Sequence, residues 1–133
     1  MNRQLKAWEA GKNAIESVLD AVAGESLVIV CDEEKSEIGH AFAEGALALG
    51  LWTRLMILET GKETRKDIPP QLREVITQQK PNIFINLMRG QRDETPFRIK
   101  ITKLETRDRR SRLGHCPGVT LDMLTDGALS LAS

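Results

Sequence analysis

Apolar positions recur along the chain in two rhythms, and their alternation predicts the order of elements. Leu5, Trp8, Ile15, Val18, Leu19 and Val22 fall on one face at helical spacing, with Gly24 just past them, so a first helix is expected over residues 3–22. Leu27-Val28-Ile29-Val30-Cys31 is continuous, short and mostly β-branched, the pattern of a strand buried on both faces, and predicts a strand over 26–31. Helical spacing returns with Ile38, Phe42 and Leu49, interleaved with Ala41, Gly45 and Ala46 and closed by Gly50. A second strand is predicted over 51–58 and, after the polar loop 59–67, Pro69-Pro70 open a short helix that turns Leu72, Val75 and Ile76 inward. Asn82–Met88 reads as the third strand.

The segment from Phe97 to Leu104 fits either rhythm. A helix is favoured, because Thr95-Pro96 is a good helix start and because a parallel neighbour for the third strand needs a crossover of about a dozen residues or more. Arg112–His115 is then a short fourth strand, Pro117-Gly118 a turn, and Thr120 the cap of a last helix carrying Leu121, Leu124 and Leu129. Strands alternating with helices predict a single α/β domain over residues 1–133. It is expected to have a small, mostly parallel sheet of about four strands with helices on both faces, in a Rossmann-like or flavodoxin-like arrangement. In such folds a ligand sits beyond the carboxyl ends of the strands. Asp32, Asn86, Arg89 and His115 fall there and are the candidate ligand-facing residues.

Charge adds a second candidate surface. The formal net charge is zero, but acids outnumber bases in residues 1–60, while 89–112 holds Arg89, Arg92, Arg98, Lys100, Lys103, Arg107, Arg109, Arg110 and Arg112. A charge run of this kind ordinarily faces water. Read as a docking face, it makes Arg98, Lys103, Arg107, Arg109 and Arg110 candidate interface residues. Contact with nucleic acid is not expected, because the bases alternate with core positions and the chain has only three Phe, two Trp and no Tyr. Two cysteines, one inside an apolar run, predict a reducing compartment, the cytoplasm, rather than a disulfide framework. No apolar stretch approaches the ~18 residues of a membrane span, and the polar start of the chain does not have the form of a signal peptide.

Few residues offer chemistry. Cys31, His40, His115 and Cys116 are the only soft metal ligands, and none of their spacings is that of a zinc site. The first strand is followed by Asp32-Glu33-Glu34, acidic where a dinucleotide fold needs glycines, so no nucleotide cofactor is expected. The same acidic end resembles that of phosphate-receiver domains, but the aspartate such a domain needs at the end of its third strand is replaced by Asn86. The plainer reading is that Asp32 caps the following helix and Glu33, Glu34 and Glu37 complement its dipole.

Several short motifs together resemble the N-terminal domain of aminopeptidase T-like metallopeptidases. They are Val28-Ile-Val-Cys-Asp-Glu with Ile38-Gly39 and Ala48-Leu49-Gly50, then Met56, Gly61 and Pro69-Pro70, and finally Pro117-Gly118-Val119-Thr120-Leu121-Asp122-Met123-Leu124. The resemblance spans roughly residues 10–129 and is broken at 89–100, where family members tend to carry a serine-threonine-histidine cluster. It implies an α/β domain that frames a substrate cleft and packs against a neighbour. The metal ligands of the family belong to a C-terminal region without counterpart in this chain. The expectation is therefore a non-catalytic domain without a cofactor, partnered by a second copy or by a C-terminal domain. A stand-alone module binding a small anion or nucleotide at the strand ends is the alternative.

Overall fold

A computed structural model describes residues 3–107 and 111–118 and shows an α/β fold. Its order is α1 (Arg3–Val18), β1 (Ser26–Asp32), α2 (Ser36–Ala48), β2 (Trp52–Leu58), α3 (Pro70–Glu74), β3 (Ile83–Leu87), α4 (Thr95–Glu105) and β4 (Arg112–His115). Short 3-10 turns at Glu33–Lys35 and Arg92–Glu94 precede α2 and α4, and a wide π turn, Val75–Gln79, prolongs α3. The expected last helix with Leu121, Leu124 and Leu129, together with Arg109 and Arg110, lies outside the described residues.

All four strands are parallel, in the order β2-β1-β3-β4, which is the flavodoxin-like rather than the Rossmann order. The apolar run of β1 is explained by its central place: it pairs with β2 on one side and β3 on the other, and Leu27 to Asp32 are all buried. Leu27, Ile29 and Cys31 join Ile83, Ile85 and Leu87 on the face covered by α1 and α2, with Ile15, Ile38 and Phe42. Val28, Val30 and Phe84 face the other way, toward Leu72, Ile76, Phe97 and Ile101 of α3, the π turn and α4. Right-handed crossovers require this division, because the chain leaves β1 in one direction and β3 in the other.

Two small residues set how closely α2 can approach. A Cβ on Gly45 would stand 2.8 Å from the Lys12 backbone nitrogen, and one on Gly39 would stand 2.8 Å from Cys31 Sγ. Gly45 thus allows α1 and α2 to touch backbone to backbone, while Gly39 lets α2 sit directly on β1.

The structure corrects the first helix. It ends at Val18, because Asp20 adopts a left-handed conformation at φ 49° and breaks the helical run before Gly24. Val18, the last residue of α1, and Val22 beyond it are 66% and 63% exposed instead of lying on a buried face. The ambiguous segment 97–104 is helical, and its buried stripe is Phe97, Arg98, Ile101 and Glu105.

Candidate functional site

The reversal of chain direction between β1 and β3 opens a crevice at their carboxyl ends, the usual ligand position in open α/β sheets. Asp32 ends β1 and Arg89 follows β3, so the two meet there as expected, but in a form that the spacing of residues does not reveal. Asp32 is fully buried; one carboxylate oxygen accepts the Arg89 backbone N–H, and the other meets Arg65 Nη1. It makes no side-chain bond to the turn that follows, so its expected role as a helix cap is replaced by this bridge across the crevice.

Glu94 completes the arrangement from the turn before α4. Its Oε1 accepts from Arg65 Nη2 at 3.0 Å and from Arg89 Nε at 2.9 Å. Its Oε2 accepts from the Arg65 backbone N–H at 2.8 Å, from Arg65 Nε at 3.0 Å and from Arg89 Nη2 at 2.9 Å. The Arg89 guanidinium beside it holds the Glu94 carboxyl well below the usual carboxylate range, with Arg65 acting in the same direction against burial. Arg89 also donates to the carbonyls of Gly61 at 2.9 Å and Glu63 at 3.2 Å, while Arg65 lies 4.9 Å from the centroid of the Phe97 ring. Two acids and two arginines therefore neutralise one another inside the crevice and tie down the loop after β2.

Asn86 does not join them. Side chains alternate along β3, and Asn86 points to the α4 face, where Nδ2 donates to Glu105 Oε1 at 2.6 Å and lies 3.2 Å from His115 Nδ1. His115 is its partner in the β3–β4 register. The four expected ligand-facing residues thus form two groups, Asp32 with Arg89 and Asn86 with His115. Burial pushes the Glu105 carboxyl up to about 8, against the lowering effect of the Asn86 hydrogen bond. Burial first, and then the charge of Arg98, lower the His115 pKa. Asn86 Oδ1 and Glu105 Oε2 are buried without a hydrogen-bond partner.

Among the expected interface residues, Arg98 is corrected. It is 8% exposed and gives its guanidinium to the carbonyls of Arg89 and Gln91 and to Thr95 Oγ1, so it holds the loop after β3 instead of presenting a charge. Other bases of the run also serve the fold: Arg112 pairs with Glu25 and Lys100 with Asp67. Lys103 and Arg107 are exposed, and in the same orientation as Ile99, which is 46% exposed, they make a stripe at four-residue spacing along and just past α4.

Chemically the described residues offer little reactivity. Cys31 lies in the core with its thiol pushed up to about 12 by burial and the adjacent Asp32, and burial raises Cys116 as well, so neither favours the nucleophilic thiolate. No group of three or more His, Cys, Asp or Glu among the described residues is placed to hold a metal ion. No helix among them is long and apolar enough to cross a membrane. Arg65, Glu94 and Glu105 were not singled out from the sequence. Only Glu105 carries a legible signal, since it continues the buried series Phe97 and Ile101 at four-residue intervals.

No protein-family model matches the chain, and no curated protein matches it. Among solved structures it is similar to VinN in its complex with L-aspartate, at 15% identity and a TM-score of 0.55, over 98% of this chain and 30% of that one. It is also similar to AmpT, aminopeptidase T, from Thermus thermophilus, at 10% identity and a TM-score of 0.52, over 98% of this chain and 43% of that one. The chain spans less than half the length of either structure. At these identities the likeness shows the fold.

Proposed function

We propose that this chain is a non-catalytic α/β domain of an aminopeptidase T-like protein, working in assembly or in framing a substrate cleft. The observation that carries the reading is the saturated crevice. Asp32, Arg65, Arg89 and Glu94 spend their hydrogen bonds and charges on one another at the place where an enzyme of this architecture would keep them for a ligand. The likeness to AmpT, which takes in nearly all of this chain and under half of that one, supports a domain role.

The surface proposed for assembly is the stripe of Ile99, Lys103 and Arg107, prolonged in sequence by Arg109 and Arg110. An exposed apolar side chain beside a run of bases suits an acidic partner surface, such as one on a second copy. Sedimentation equilibrium tests this. The unaltered chain is expected to self-associate, and Lys103→Glu with Arg109→Glu and Arg110→Glu to shift it toward monomer at least tenfold without loss of folding. An unaltered chain that stays monomeric, or a triple variant that associates equally, would overturn the assembly surface. Stoichiometric tight zinc or cobalt binding, or saturable phosphate binding that moves the amide signals of Asp32 and Arg89, would overturn the non-catalytic reading.

A further inference from the structure

A cavity of about 270 Å³ lies away from the crevice, between the π turn and the end of α4. Ile76 and Leu104 give it apolar walls; Lys80 and Arg107 stand at its edge and have no ion-pair partner among the described residues. Lys80 is held there by the backbone, since it closes the π turn in a left-handed conformation at φ 45°. Glu105 forms part of the wall. It is 2% exposed, its Oε1 is engaged by Asn86, and its Oε2 has no partner. Thr77 and Ser111 also border the cavity, but they donate their hydroxyl hydrogens to the carbonyls of Arg73 and Pro81.

From this geometry we infer that the cavity is a binding site for a small monocarboxylate with an aliphatic body, its carboxylate held by Lys80 and Arg107 and its body against Ile76 and Leu104. Burial raises the Glu105 pKa to about 8, which keeps the neutral form dominant at neutral pH, so the wall behind the two bases carries little negative charge. The two bases then donate toward one anion, and the neutral Glu105 does not oppose it. The volume falls just below the roughly 300–1,000 Å³ of sites for drug-sized ligands, which suits a smaller molecule. The site shares no residue with the crevice, and with the proposed assembly surface it shares only Arg107.

The test is titration of the 15N-labelled chain with hexanoate at pH 6.5, with hexanol and inorganic phosphate as comparison probes. Hexanoate is expected to give saturable shifts at Ile76, Lys80 and Leu104 with a millimolar Kd, at least tenfold tighter than either comparison probe. Lys80→Glu and Arg107→Glu, both at exposed positions, should each weaken it at least fivefold with the rest of the spectrum unchanged. Glu105→Gln, which removes the titrating carboxyl, should hold affinity within threefold. Hexanol binding as tightly as hexanoate would remove anion recognition, and phosphate doing so would remove the apolar wall. Either result, indifference to Lys80→Glu, or no saturable shift up to 20 mM would overturn the site.

Discussion

Glu94 is the residue on which most of the buried charge in this molecule converges. Both arginines that surround it are oriented by it, and neither can reach water easily: Arg89 is 6% exposed and the Arg65 side chain 15%. Replacing it with glutamine leaves the Arg65 guanidinium with Asp32 as its remaining acid and the Arg89 guanidinium with the carbonyls of Gly61 and Glu63. Breaking a buried ion pair from one side ordinarily costs about 3–5 kcal/mol, and Glu94→Gln should fall in that range in denaturant melts. The penalty measures the stranded charges rather than the worth of the intact network.

Glu105 makes a different prediction at the same scale. Its folded pKa of about 8 exceeds its ordinary 4.5, so the native state binds more protons than the unfolded state across that interval. Stability must therefore fall as pH rises through the window and level off above the folded pKa. His115 works oppositely but only below its ordinary 6.5, because its folded pKa is lowered. Between pH 6.5 and 8 Glu105 dominates the pair, and the unfolding free energy should drop by about 1–2 kcal/mol over that range. Unfolding curves at both ends, with Glu105→Gln abolishing the slope, check the sign. A rise in stability over this range would contradict the burial of the carboxyl.

At the scale of elements, β1 and β3 are the two inner strands of the sheet, and β1, paired along its length with β2 and β3, is buried from Leu27 to Asp32. Ile29 sits at its middle with no exposed surface, packed under α1 and α2. Ile29→Ala should cost about 2–5 kcal/mol in denaturant melts, since the close contacts around Gly39 and Gly45 leave little room for collapse. A loss below about 1 kcal/mol would mean that the core is not centred on this strand. The order and type of these elements were legible from hydrophobic spacing because each buried face is periodic. The end of α1 was not, since a left-handed aspartate carries no apolar signature. Arg98 was misread as a surface base for a related reason: it falls on the buried stripe of α4, but its guanidinium finds carbonyls in a loop that only folding brings beside it.

Over the whole molecule, the described bases of residues 89–112 separate into two populations. Arg89, Arg98, Lys100 and Arg112 bind the fold together, whereas Arg92, Lys103 and Arg107 remain on the surface without an ion-pair partner among the described residues. If the exposed set mediates assembly, association should be electrostatic in character. Raising salt from 50 to 500 mM shortens the screening length several-fold, and the proposed self-association should weaken by about tenfold in sedimentation experiments. Salt-independent association would point instead to an apolar contact.

Sequence alone determined the parallel α/β character, the approximate strands, the two-sided burial of β1 and the arrival of Asp32 and Arg89 at one end of the sheet. These follow from periodicity and from the directionality of parallel crossovers, both of which are local or topological properties. Only the tertiary structure decided that the crevice is closed by Arg65 and Glu94, that Asn86 and His115 belong to a separate group, and that a buried glutamate bound to Asn86 forms part of the wall of a cavity. Charge pairing across loops depends on side-chain direction and distance in space, for which spacing along the chain holds no measure.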